Sequence, residues 1–238
     1  MKKKIVFALL LAACLPFYGC KEEKAPTNYE NAMADGAVTV LIDAGHGLLD
    51  VGAINEEKLG EVTEADINFS VASNLEKELT ARGYNVIMSH NGIEKPFTEY
   101  DDGKETYGPS ERADFSNSTV ADIFISIHCD SFPSNTEVYG TRVYYPVDTP
   151  NSTKLDKQFA SAVGGAIDTA FPNDKKVILR DMHGEECYTV LYKTVVPSIL
   201  VECGFITNKG DAEKLIAPEW HANFAKALAN GIDGYFKK

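Results

Sequence analysis

Hydrophobic and polar positions along this chain follow two periods, and the pattern passes from one to the other repeatedly. Val38–Ile42 is a continuous β-branched run, which suits a strand buried on both faces of a parallel sheet. It breaks at Asp43-Ala44-Gly45-His46-Gly47, where glycine lets the backbone leave the strand sharply. Ala65–Arg82 then sets Ile67, Val71, Leu75 and Leu79 at steps of four, an apolar stripe on a polar helix, with Gly83 as its C′ residue. Tyr84–Ser89 reads as a short strand, Asn91–Pro109 as a polar loop, and Ser110 as the cap of a short helix to about Asn117. Ala121–His128 is a second buried-strand pattern and Gly140–Tyr145 a third. Asn151–Phe171 is a helix with Leu155, Phe159, Val163 and Ile167 on one face. Cys187–Lys193 and Ser198–Cys203 read as further strands, Asp211–Ile216 as a helical turn, and Pro218–Phe236 as a closing helix.

This alternation predicts an α/β fold: one domain with a mostly parallel twisted sheet of about six strands and helices on both faces. Its 238 residues suffice for one sizeable domain, and no internal repeat is visible.

The first twenty positions depart from this rhythm. Met1-Lys2-Lys3-Lys4 is a basic start and Ile5–Tyr18 an apolar stretch too short to span a bilayer, so residues 1–19 read as a secretory signal. Two cysteines suit lipoprotein processing. Leu11-Ala12-Ala13-Cys14 has the better composition, whereas Cys20 leaves a fuller apolar region before it and a polar Lys21-Glu22-Glu23-Lys24 after it. Cys20 is preferred, with residues 20–37 an acylated cysteine and polar tether and 38–238 the folded domain. Sixteen tether residues span on the order of 20 Å as a coil, which keeps the domain close to a membrane. The periplasmic face is favoured, although Lys-Glu-Glu after Cys20 resembles an outer-surface export signal.

Charge narrows the partners. The formal net charge of −12 becomes −15 once Lys2, Lys3 and Lys4 are removed, which argues against nucleic acid and against adhesion to anionic lipid. Membrane attachment then rests on acyl chains, and a monomer is expected.

Candidate chemistry gathers where strands end. His46 follows the first strand, His128 ends ADIFISIH and Glu202 ends SILVE, while Glu64 stands at the start of the first long helix. In a parallel sheet these positions share one edge, where ligands bind. Two imidazoles and a carboxylate form a common hydrolytic zinc site, although the spacing fits no short zinc-protease motif.

Four blocks carry a family resemblance: Asp43-Ala44-Gly45-His46-Gly47, Glu64-Ala65-Asp66-Ile67-Asn68, Ser126-Ile127-His128-Cys129-Asp130-Ser131 and Val201-Glu202-Cys203-Gly204-Phe205-Ile206-Thr207-Asn208. In that order they resemble the signature of the zinc-dependent N-acetylmuramoyl-L-alanine amidases of the type 3 class, and Arg112 and Asn117 fit the same pattern. The resemblance runs from about Val38 to Phe236. It implies His46, Glu64 and His128 as ligands of one Zn²⁺ per chain, Glu202 as the catalytic carboxylate, and peptidoglycan or a muropeptide as substrate. The bond cleaved would be the amide joining N-acetylmuramic acid to L-alanine. Val201 and Phe205 would help tune Glu202 by desolvation. Cys129 and Cys203 replace residues that are more often small or aliphatic in the family.

Other residues have quieter readings. Glu61 is an alternative to Glu64, which the family register favours. Asp43 and Asp130 are candidates for orienting a ligand imidazole, with turn capping an equal reading for Asp43. Arg112 suits a structural ion pair more than contact with an acidic stem peptide. His183 falls in a polar loop that could rim the substrate, and His90 and His221 are expected at the surface. Cys129 and Cys203 should point away from the metal as buried thiols, with a disulfide open to an exported protein and Cys187 then unpaired. Two competing functions are a zinc peptidase or deacetylase acting on another cell-wall amide, and an inactive wall-binding regulatory lipoprotein.

Overall fold

The computed structural model describes residues 38–47, 50–92 and 108–237. The signal segment, Cys14, Cys20 and the tether expected over 20–37 lie outside the described residues.

Six strands form one sheet in the order β2-β1-β3-β6-β4-β5. They are β1 (Thr39–Ala44), β2 (Asn85–Met88), β3 (Ile123–Asp130), β4 (Arg142–Val147), β5 (Ile178–His183) and β6 (Ser198–Phe205). Every pairing is parallel except β4 against β6, which is antiparallel. The mostly parallel α/β fold is thus the one the pattern predicts. β1 and β6 are buried along their whole length, as continuous apolar runs should be when both faces are covered.

Alternation along the strands sorts side chains onto two unequal faces. Val40, Ile42, Ile123, Ile125, Ile127, Ile199 and Val201 enter the main core. That core is closed by α2 (Glu64–Ala81), α4 (Lys154–Ala170) and α7 (Pro218–Phe236). Leu41, Phe124, Tyr144 and Leu200 face a thinner layer that includes Phe115 of α3 (Pro109–Ser118) and Leu191 of α5 (Thr189–Lys193). Short helices α1 (Glu56–Leu59) and α6 (Lys209–Leu215) complete the chain. No helix among the described residues is long and apolar enough to cross a membrane.

Two expectations fail here. Cys187–Lys193, expected as a strand, is a turn leading into α5, and the strand of this region is β5 instead. The β-branched and aromatic residues of Tyr188-Thr189-Val190-Leu191-Tyr192 suit a strand by propensity, but tertiary packing prevails. Val190 and Leu191 plug the thin layer from a helical turn. β5 escapes the pattern because it is an edge strand with no fully buried residue. His183 therefore ends a strand rather than sitting in a loop; it is exposed, with Asp148 3.1 Å from Nδ1 and Asp181 3.3 Å from Nε2.

Candidate functional site

Strand order places the site. β1 leads through α2 to β2 on one side, while β3 lies on β1's other side, so the chain diverges at the carboxyl ends of β1 and β3 and leaves a crevice there. Gly45 N–H still donates to Ile127 O at 2.8 Å, holding the end of β1 to β3. The backbone then turns sharply, with His46 at φ 64° and Gly47 at φ 99°. A left-handed histidine is uncommon and marks a functional constraint. Gly47 and Asp50 exchange two backbone hydrogen bonds, at 2.7 and 3.1 Å, which folds Asp50 back beside His46.

Glu64 is the first residue of α2. Thr63 and Asp66 form a reciprocal cap there: Asp66 N–H donates to Thr63 Oγ1 and Thr63 N–H to Asp66 Oδ2. The Glu64 carboxylate is fixed by backbone donors, Ala53 N–H to Oε2 at 2.9 Å and Cys129 N–H to Oε1 at 3.1 Å. Its Oε1 lies 3.2 Å from His46 Nε2 and 3.1 Å from His128 Nδ1. Asn68, one helical turn on, donates to Gly45 O at 3.1 Å and so ties α2 to the end of β1.

His46, Glu64 and His128 each offer a donor atom, and these atoms lie within 4.8 Å of one another. They could hold one metal ion. The surroundings fit that use: a Cβ on Gly45 would come within 2.2 Å of the His128 ring, and one on Gly52 within 2.7 Å of Glu64 Oε2 and 2.8 Å of His46 Cδ2. Glycine at both positions keeps the space in which the three side chains converge. Burial alone would favour a protonated Glu64, yet the hydrogen bonds and charges of His128 and His46 hold its carboxyl far below the ordinary range. His46 is the counterpart: burial opposes its charged form, but Glu64 and Asp50 raise it above the usual imidazole value.

Glu202 stands on β6 directly beside His128, its register partner on β3. It is buried, and its Oε2 has no hydrogen-bond partner among the described residues. Burial pushes this carboxyl well above the ordinary range, and the charges of Asp130 and Glu64 add to that, while Arg142 opposes them. Val201, expected to tune this carboxyl, instead points into the main core on the opposite face of β6.

Neighbouring assignments change. Asp43 neither orients an imidazole nor caps the turn: it is fully buried, accepts from Ser89 Oγ at 2.8 Å and Ser126 Oγ at 2.7 Å, and faces Arg112 Nη1 at 3.4 Å. Arg112 is thus the structural ion pair expected of it. Asp130 binds Arg142 Nη1 at 2.9 Å instead of an imidazole. The residue that does orient a histidine is Asp50, whose Oδ2 accepts from His46 Nδ1 at 2.8 Å. The sequence signal for it was a lone carboxylate four positions after the histidine, which a surface turn would carry equally well. Glu61 is exposed and takes no part among the described contacts.

His90 and His221 are buried, not at the surface. His90 donates to Ala44 O at 2.8 Å and stacks on Phe69, and His221 bridges Ser70 Oγ and Leu215 O. Both satisfy backbone or hydroxyl groups that apolar neighbours would leave unpaired. Cys129 and Cys203 are buried free thiols on the main-core face, opposite to Glu202 and His128. Burial raises the Cys129 thiol well above its usual value, and burial pushes Cys187 up to about 11, so neither is a reactive thiolate.

Residues 40–234 match the protein family described as N-acetylmuramoyl-L-alanine amidase. Among curated relatives, YqiI of Bacillus subtilis is 34% identical over 200 residues, covering 83% of this chain and 84% of that protein. N-acetylmuramoyl-L-alanine amidase LytC of the same organism is 29% identical over 203 residues; the match covers 84% of this chain but only 36% of LytC. The crystal structure of an N-acetylmuramoyl-L-alanine amidase from Clostridium difficile 630 has the same fold, with TM-score 0.72 and 24% identity over 85% of this chain and 98% of that one.

Proposed function

The chain belongs to the N-acetylmuramoyl-L-alanine amidase family, and from that membership we propose that it is a zinc-dependent hydrolase of peptidoglycan, cleaving the amide between N-acetylmuramic acid and L-alanine. The observation that carries the zinc reading is the convergence of His46 Nε2, His128 Nδ1 and Glu64 Oε1, three donors of the kind that hold a hydrolytic zinc with one position open. Bound there, Zn²⁺ would polarise the scissile carbonyl and lower the pKa of water.

The chain's own groups supply the rest. Asp50 accepts the Nδ1 proton of His46, which leaves Nε2 facing Glu64. Glu202 is the proton carrier. Its unpartnered Oε2 takes a proton from the attacking water as the new C–O bond forms, then delivers it to the L-alanine nitrogen as the C–N bond breaks. An amine leaves poorly unless protonated, so the proton that an ionised Glu202 takes from water must reach the nitrogen before the C–N bond breaks. Anchoring through an acylated Cys20, on the periplasmic face, would hold the enzyme near its substrate.

Digesting purified peptidoglycan and sizing the products by mass spectrometry tests the bond. Intact stem peptides with a free L-alanine amino terminus are expected, with about one zinc per chain by metal analysis. Products cut within the stem, or acetate release, would reassign the enzyme to a peptidase or deacetylase.

A second measurement probes the zinc site independently of turnover. Asp50→Ala should weaken metal binding by about 10- to 100-fold, because it removes the group that fixes the His46 tautomer. Competition against a chromophoric chelator reads this directly, and an affinity within twofold of wild type would remove Asp50 from the site.

A further inference from the structure

The cation that the sequence offered for an acidic stem peptide, Arg112, is buried against Asp43 and unavailable. Another lies within reach. A groove of about 480 Å³ starts at Gly47 and Asp50, beside the metal-binding residues, and runs along the outer side of α2 past Phe69, Ser73 and Asn74 to Lys77. The carboxylates in its lining are already engaged, Asp50 with His46 and Asp66 with the Thr63 cap. Lys77 is exposed and makes no ion pair or hydrogen bond among the described residues, so its charge is free to meet a ligand.

Length agrees with charge. Glu64 and Lys77 are on one helix, 13 residues apart, which at 1.5 Å per residue is about 20 Å. An extended peptide of four or five residues spans roughly 13–18 Å, and the lysine side chain covers the remainder. A neutral glycan strand could offer the ammonium hydroxyl acceptors but no opposite charge, so the acidic stem is the better match.

We propose that this groove receives the acidic stem peptide of the substrate in extended form, with Lys77 binding the carboxylate at its far end. The inference rests on the amidase reading above, and it makes Lys77 a specificity-determining residue rather than a catalytic one. Phe69 offers apolar surface midway for a side chain of the stem, and Ser73 and Asn74 offer polar groups to its amides.

Calorimetric titration of the purified chain with the free tetrapeptide product tests this without requiring turnover. Lys77→Glu should raise Kd for the acidic peptide about fivefold or more, since an attractive charge becomes a repulsive one. Lys77→Arg should restore binding, and the same peptide with its carboxylates amidated should bind wild type and Lys77→Glu alike. Lys77 is exposed on a formed helix, so unchanged circular dichroism would verify the fold of each variant. Equal Kd values for wild type and Lys77→Glu, or the same loss with the amidated peptide, would overturn the proposal. So would a peptide-free disaccharide whose binding is abolished by Ser73→Trp while peptide binding persists. If the wild-type chain released no stem peptides from the wall, the amidase reading would fall, and the Kd comparison would still decide the groove.

Discussion

Glu202→Gln should abolish turnover, by at least about a hundredfold, while the variant still takes up its metal. Glutamine has nearly the shape of glutamate and fits the same enclosed position on β6, so the fold and the three donors at His46, Glu64 and His128 have no reason to change. What it lacks is an oxygen that can accept a proton from water and surrender it to nitrogen. The contrast to measure is zinc content against the rate of stem-peptide release from purified walls. A variant releasing peptides within tenfold of wild type would show that some other group moves the proton. A variant without metal would instead show that Glu202 shapes the donor site.

The second large effect lies under the site. Asp43→Ala should cost about 3–5 kcal/mol of stability, because it strands the Arg112 guanidinium in an interior that shields it almost completely. For a domain of this size that is a fall of roughly 10 °C in Tm. Burial by itself would raise the Asp43 carboxyl, but Arg112 and the Ser126 and Ser89 hydroxyls outweigh it and hold the group below its ordinary value. The pH dependence follows from that direction. A carboxyl depressed in the folded state contributes fully above its unfolded value of 3.8 and loses the contribution as pH falls through the lower folded value. The stability gap between wild type and Asp43→Ala should therefore be widest near neutrality and narrow in acid below pH 3.8. Removing both charges, as Asp43→Ala with Arg112→Met, should recover part of the loss. Thermal melts across pH decide it; a double variant no more stable than the single would mean that the hydroxyl contacts, not the ion pair, carry the energy.

Much of this was legible in the chain because the informative residues lie where regular structure stops. His46, His128 and Glu202 each close an apolar run, and a parallel sheet brings such ends to one edge, so the neighbourhood followed from the pattern alone. Distinguishing Glu64 from Glu202 in role did not, since both are simply acids on that edge, and the family resemblance had to separate them. Asp50 was hidden for a different reason. Its position depends on a tight pairing of Gly47 with Asp50, which no periodicity encodes. His90 and His221 were misjudged as surface groups because polarity in sequence says nothing of a buried carbonyl or hydroxyl waiting across the fold. The Cys187–Lys193 segment shows the same limit in the other direction, where strand-forming residues are recruited as a plug for the thin face.

Three of the four reacting side chains leave from within paired strands, His128 on β3 and Glu202 on β6, or from the first turn of a capped helix, Glu64 on α2, where neighbouring backbone is already pinned by hydrogen bonds. On α2 the first turn carries Glu64 and the far half carries Lys77, so chemistry and the proposed taste sit at different stations of one helix. Connections that make no contact with the reacting side chains can be lengthened, trimmed or exchanged without loosening the reacting centre, whereas the turn that carries Asp50, Gly52 and Ala53 cannot. A workable route to altered wall preference is therefore to graft new connections around the crevice and leave the sheet untouched.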